Sequence, residues 1–181
     1  MATKKIFIYA LLSLAPLFLF AQTDIIIQNG SKIYVSNVPD SIIANIDHGD
    51  TLYLPGGIIQ LKRHFIINTK VHVFGNGIFP DSTQVGGPSI IQGYSITLET
   101  GADSSTFEGF RLEGSNLNFS GGDTIKNIEF KRCEFYYIDL HSGGSAAAIA
   151  DGVSNISFIE CIVNNSVVGH YAKHLSFEKC I

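Results

Sequence analysis

Ile128-Glu129-Phe130-Lys131-Arg132-Cys133 is followed by Ile156-Ser157-Phe158-Ile159-Glu160-Cys161 and then by Leu175-Ser176-Phe177-Glu178-Lys179-Cys180. Each stretch reads apolar, polar, Phe, two mostly polar residues, Cys. The copies begin 28 and then 19 residues apart, the irregular step of a solenoid whose coils carry loops of different length. A weaker copy, Ser105-Thr106-Phe107-Glu108-Gly109-Phe110, has Phe at the Cys position. Leu52-Tyr53-Leu54 and Val71-His72-Val73 keep the same apolar-polar-apolar frame. About six coils are therefore expected, enough to bury a continuous core.

Spacing sets direction within each copy. Residues two apart on a strand share a face, so Ile128 and Phe130 point inward and Glu129 outward. Ile156/Phe158 and Leu175/Phe177 keep that register. The three-residue step from Phe to Cys breaks the alternation and implies a bend. The row Phe107, Phe130, Phe158, Phe177 reads as an aromatic spine of the core, each buried ring contributing about 1.5–3 kcal/mol. At the bend, Arg132, Glu160 and Lys179 precede the three cysteines in turn. They read as a solvated charge ladder, in which each opposite-charge neighbour contributes about 0.2–1 kcal/mol.

The three cysteines share one repeat position. Stacked on an inner face they act as small apolar residues, and buried free thiols are the leading reading. A disulfide between neighbouring coils is the alternative, although parallel side chains must twist to reach the bridging dihedral. A metal or redox role is the remote third.

The chain opens with Lys4 and Lys5, an apolar run from Ile6 to Phe20 interrupted by Pro16, and Ala21-Gln22. That is the pattern of a secretory signal peptide over residues 1–21, and the run is short for a transmembrane span. A secreted or cell-surface protein is expected. Removing the segment takes Lys4 and Lys5 from the 12 cationic residues and none of the 16 carboxylates, so the formal charge moves from −4 to −6. An acidic surface without a Lys/Arg run argues against nucleic acid as a partner.

Residues 22–46 read as an N-terminal hairpin and a capping helix. Ile25 to Ile27 and Ile33 to Val35 flank Asn29-Gly30, a hairpin signal. Asp40 to Ile46 reads as a short helix capped by Asp40 or Ser41, which would cover the first coil. Residues 47–181 are then the coils. The fold class expected is all-β, a right-handed parallel β-helix with a short N-terminal capping segment. Cys180-Ile181 falls inside a repeat, so further C-terminal coils or another domain are expected. Residues 75–89 and 142–152 are rich in turn residues and read as loops. Loops on one side of a solenoid often form its binding face.

Ser41 to Gly57, SIIANIDHGDTLYLPGG, resembles the opening of the pectin-lyase-like right-handed parallel β-helix superfamily. There a short helix leads into a Gly-Asp-Thr turn, a buried strand and a Pro-Gly turn. Val73-Phe74-Gly75-Asn76-Gly77, Ile90-Ile91-Gln92-Gly93 and Phe107-Glu108-Gly109-Phe110 resemble the coils that follow. The resemblance implies the fold and leaves the chemistry open, because lyases, hydrolases, esterases, adhesins and spacers share it.

No catalytic motif of these enzymes is assembled in the sequence. Polygalacturonase-type hydrolysis needs paired carboxylates, and Asn68-Thr69-Lys70 stands where Asn-Thr-Asp is wanted. Gly169-His170-Tyr171 stands in place of Gly-His-Gly. Lyase-type elimination needs clustered carboxylates for Ca²⁺ and a basic residue. Arg63, Arg111 and Arg132 have no such cluster beside them. His141, His170 and His174 lack the context of a metal site and read as surface residues. No catalytic, cofactor or metal residue is therefore assigned, and no cofactor is expected. The adjacent outward pair Tyr136-Tyr137 is the candidate sugar contact. The reading is an exported module acting at a surface, as an adhesin or by binding extracellular polysaccharide. The alternative is the N-terminal part of a polysaccharide lyase or glycoside hydrolase whose catalytic coils lie beyond Ile181.

Overall fold

The computed structural model describes residues 24–79, 86–120, 125–140, 152–169 and 172–181. The signal-peptide segment, His141, His170 and most of the loop 142–152 lie outside them. Among the described residues the chain is all-β apart from one short helix.

An eight-stranded sheet has the order β15-β13-β11-β9-β6-β3-β1-β2. Its strands are β1 (Ile25–Asn29), β2 (Lys32–Ser36), β3 (Asp50–Tyr53), β6 (Val71–Phe74), β9 (Thr106–Glu108), β11 (Lys126–Lys131), β13 (Ser154–Ile159) and β15 (Lys173–Glu178). From β3 to β15 the six strands are parallel, each paired with the next along the chain. The second sheet contains β4 (Gly57–Gln60), β7 (Ser89–Gln92), β10 (Phe110–Phe119), β12 (Glu134–Asp139) and β14 (Ile162–Val168), all parallel. Two further strands, β5 (Phe65–Ile67) and β8 (Ile96–Leu98), pair with each other, and β8 also pairs with the second half of β10. From β3 onward the chain passes from the first sheet to the second and back, and each strand of the first sheet from β3 to β15 marks one rung.

The repeat is the reason for this register. Phe107, Phe130, Phe158 and Phe177 occupy equivalent rungs. Their rings stack with centroid distances of 4.9, 5.1 and 4.9 Å and nearly parallel planes. Leu52 and Val73 continue the same row toward the N-terminus. Phe177 is stacked on one side only and remains 48% exposed, because β15 is the last strand of its sheet. The inward placement therefore holds for all four rings, with full burial for the first three.

The bend after each Phe has a left-handed backbone. Arg132, Glu160 and Lys179 have φ of +50, +54 and +52°, and Gly109 at the equivalent position has +74°. Gly109 also lies against Gly75: a Cβ on Gly75 would stand 2.2 Å from the Gly109 carbonyl oxygen. That close approach explains why both Val73-Phe74-Gly75 and Glu108-Gly109 carry glycine. The charges at the bend do not form one continuous ladder. Lys179 Nζ lies 3.9 Å from Glu160, whereas Arg132 pairs with Glu108 one rung earlier. In parallel pairing a long side chain reaches either neighbour, and Glu108 meets Arg132 first.

The hairpin is formed as expected, with one shift. Asn29 pairs with Lys32 as the last strand residue, leaving Gly30-Ser31 as the two-residue loop. The helix α1 spans Pro39–Ile43, starting earlier and ending sooner than the Asp40 to Ile46 expectation. Its cap is Val38 without a side-chain bond, so neither Asp40 nor Ser41 caps it. Pro39 sets the start instead, since its fixed φ suits the first helical turn and its missing N–H costs nothing there. Ile42 of α1 is buried in the same core as Leu52 and Ile59, which places the helix over the first rung.

Candidate functional site

The three thiols are free. Cys133 and Cys161 are fully buried, and Cys180 is half-buried. Each Sγ donates toward the carbonyl of the spine Phe one rung earlier: Cys133 to Phe107 at 3.6 Å, Cys161 to Phe130 at 3.6 Å, Cys180 to Phe158 at 3.3 Å. Burial, reinforced by the neighbouring Cys161, pushes the Cys133 thiol well above its ordinary range. Cys133 and Cys161 are structural, enclosed in the core and bonded to backbone.

The outer face of the eight-stranded sheet is a different environment. Alternation along β3 and β6 buries Leu52 and Val73 and turns Tyr53 and Phe74 outward. They face each other across adjacent strands, ring centroids 6.0 Å apart and 23° from parallel. Tyr53 is 41% and Phe74 38% exposed. Ile26 and Val35 extend this row through the hairpin, so an apolar strip crosses β2, β1, β3 and β6 in the order Val35, Ile26, Tyr53, Phe74. Isolated exposed apolar residues are ordinary, but a contiguous row rimmed by polar groups marks a contact surface.

The rim is the next outward row, Gln28, Thr51, His72 and Thr106. Tyr53 Oη lies 3.5 Å from Gln28 Oε1, and His72 Nδ1 lies 2.8 Å from Thr106 Oγ1. At the far end stands the Glu108–Arg132 pair. The surface thus presents two ring faces beside amide, hydroxyl and imidazole groups, a combination suited to ligands with alternating C–H and O–H faces.

The second sheet carries an outward polar row of its own. Arg111 Nε donates to Glu134 Oε2 at 2.7 Å, and Asn164 donates to the other oxygen of Glu134 at 2.9 Å. Gln92 donates to Glu113 at 3.0 Å. Arg111 is thus engaged in a structural pair.

Tyr136, the sequence candidate for sugar contact, is exposed, and Tyr137 is half-buried. The ring pair that the fold assembles is Tyr53–Phe74 instead, residues well separated in sequence. His174 lies on β15, away from His72. Among the described residues no group of three or more His, Cys, Asp or Glu is placed to hold a metal ion, and no helix is long and apolar enough to cross a membrane. Compared with known protein families, with curated proteins and with solved structures, the chain finds no match in any of the three.

Proposed function

We propose that this protein is an exported right-handed parallel β-helix that binds an extracellular polysaccharide on its outer face, as a surface or adhesive module without catalysis. The observation that carries this reading is the exposed Tyr53–Phe74 pair with its polar rim. Rings left in solvent on a regular, solvated sheet offer apolar faces to sugar rings, while Gln28, Thr51, His72 and Thr106 offer donors and acceptors to hydroxyls. Export rests on the residues of the signal-peptide pattern, and the handed β-helix on the resemblance of Ser41 to Gly57 together with the parallel register of the rungs.

The test is binding of the purified mature chain to a panel of soluble polysaccharides by affinity electrophoresis and calorimetry. A retarded polymer whose affinity falls about tenfold in the Tyr53→Ala/Phe74→Ala double variant is expected, the scale of two lost ring contacts. Binding by the double variant as tight as by the parent removes this surface from the reading. Release of unsaturated products or new reducing ends, abolished by one carboxylate or arginine substitution, replaces binding with catalysis.

A further inference from the structure

The hairpin carries its inner face past the end of the packed core. Cross-strand partners share a face, so Tyr34 of β2 stands beside Ile27 of β1, whose other partner is Leu52 of β3. Ile27 and Leu52 are buried, whereas Tyr34 is 41% exposed, because β2 is an edge strand of its sheet. Two residues along, the same face turns polar: Lys32 pairs with Asn29, and Asn29 Nδ2 donates to Asp50 Oδ1 at 2.6 Å. The turn between α1 and β3 adds Asn45 and Asp47 to the lining. The pocket between these groups has a volume of ≈ 570 Å³, inside the range of about 300–1,000 Å³ of small-molecule sites.

Its side chains are held from behind. Tyr34 Oη and Ser41 Oγ of α1 share a hydrogen bond of 2.8 Å, which fixes the ring. Asn45 Nδ2 donates to the Ser41 carbonyl at 2.7 Å, leaving its Oδ1 as an acceptor. Asn29 is oriented in the same way by Asp50, a carboxylate only 2% exposed that also accepts from the Asp47 backbone N–H at 2.7 Å. Each planar amide thus uses a donor on the protein and keeps its oxygen for a ligand. Among the described residues neither the Asp47 carboxylate nor the Lys32 ammonium is in an ion pair. The wall therefore combines an aromatic ring, fixed oxygen acceptors and one ammonium donor.

We propose that this pocket binds one neutral pyranose unit, stacked on Tyr34 and hydrogen-bonded through its hydroxyls to Asn29, Asn45 and Asp47. A pyranose offers a C–H face to the ring and O–H donors to amide and carboxylate oxygens, the carboxylate making the stronger bond. Lys32 donates to a further hydroxyl or to the ring oxygen. Charge selects the class: Asp47 and Asp50 outnumber Lys32, so an anionic sugar is repelled, while the Lys32 ammonium opposes a divalent cation. The unit is either a free monosaccharide or the end residue of a chain. Tyr34 and Val35 are successive residues of one strand and point to opposite faces. The pocket is therefore separate from the outer strip of Val35, Ile26, Tyr53 and Phe74 and does not rest on it.

The experiment titrates glucose, galactose, mannose and N-acetylglucosamine into the labelled mature protein, each free and as its β-1,4-linked hexamer, and follows amide shifts by NMR. Galacturonate and alanine are the charged comparators. Saturable shifts at Asn29, Ser31, Tyr34 and Asp47 are expected with at least one free neutral sugar. The same shifts with its hexamer identify a chain end as the source, and their absence with the hexamer identifies a free monosaccharide. Tyr34→Ala and Asp47→Asn, both at exposed positions, should each weaken binding about tenfold, the scale of one lost ring contact or charged hydrogen bond. The amide signals of β11, β13 and β15 should stay in place in both variants, which shows that the fold is kept. Tyr53→Ala/Phe74→Ala should keep the pocket shifts, because its rings lie on the other face. Polymer binding unchanged in that double variant strikes the outer-face reading and leaves the pocket standing. Shifts with the hexamer alone, tighter binding of galacturonate or alanine, unperturbed pocket amides, or affinity unchanged in both pocket variants overturn the pocket.

Discussion

Phe130 and Phe158 lie face to face in adjacent rungs, ring centroids 5.1 Å apart and planes 9° from parallel. Both are fully buried, so removing one ring leaves a cavity between two others. Phe158→Ala is expected to cost about 3–5 kcal/mol. Glu160→Ala, two residues on at an exposed bend, should stay within about half a kcal/mol. Urea unfolding of the mature chain measures both, and equal small losses would falsify the assigned register.

The left-handed backbone at Asn127 makes a second prediction. Asn127 holds φ of +58° and accepts from Asn155, a conformation that Asn tolerates and β-branched residues resist. Asn127→Val should destabilise by about 1–3 kcal/mol, combining backbone strain with the lost amide bond. Asn127→Gly loses the bond but not the conformation, and should cost less. The reverse order in thermal unfolding rules out strain as the reason for Asn at this position.

Burial raises the Cys133 thiol above its ordinary range, and the sign of its effect on stability follows. Below the unfolded-state pKa of about 8.5 the thiol is protonated in both states, so its contribution is fully present. As pH rises beyond that value the unfolded chain ionises first, and stability falls. The slope approaches 1.4 kcal/mol per pH unit for this one group. Denaturant unfolding between pH 7 and 10 should show a steeper loss for the parent than for Cys133→Ala. Parallel slopes mean that the thiol is accessible in the folded protein. Reaction with a thiol reagent at pH 8 should accordingly modify Cys180 well before Cys133 or Cys161.

Asp50 is buried where the hairpin meets the first rung. Its Oδ1 accepts from Asn29 Nδ2 at 2.6 Å and its Oδ2 from the Asp47 backbone N–H at 2.7 Å. Asp50→Ala should cost about 2–4 kcal/mol, since two donors lose a charged acceptor. Combined with Asn29→Ala, the double variant should fall short of the sum by about 1–2 kcal/mol. Strict additivity in that cycle means the Asn29 bond contributes nothing.

The sequence by itself determined what recurs locally. Two-residue alternation set the inward Phe, Ile and Leu, and the three-residue step to Cys announced a bend. Gly and Pro marked the hairpin and the early turns. These are properties of a few consecutive residues, and backbone sterics act at that range. The tertiary structure alone decided which rungs meet and what their outer faces combine. Arg132 joins Glu108 rather than Glu160, and Tyr53 meets Phe74. The connections between strands vary in length, so sequence distance does not count rungs. Backbone hydrogen bonding between parallel strands does, because a one-residue slip turns every buried side chain to the other face.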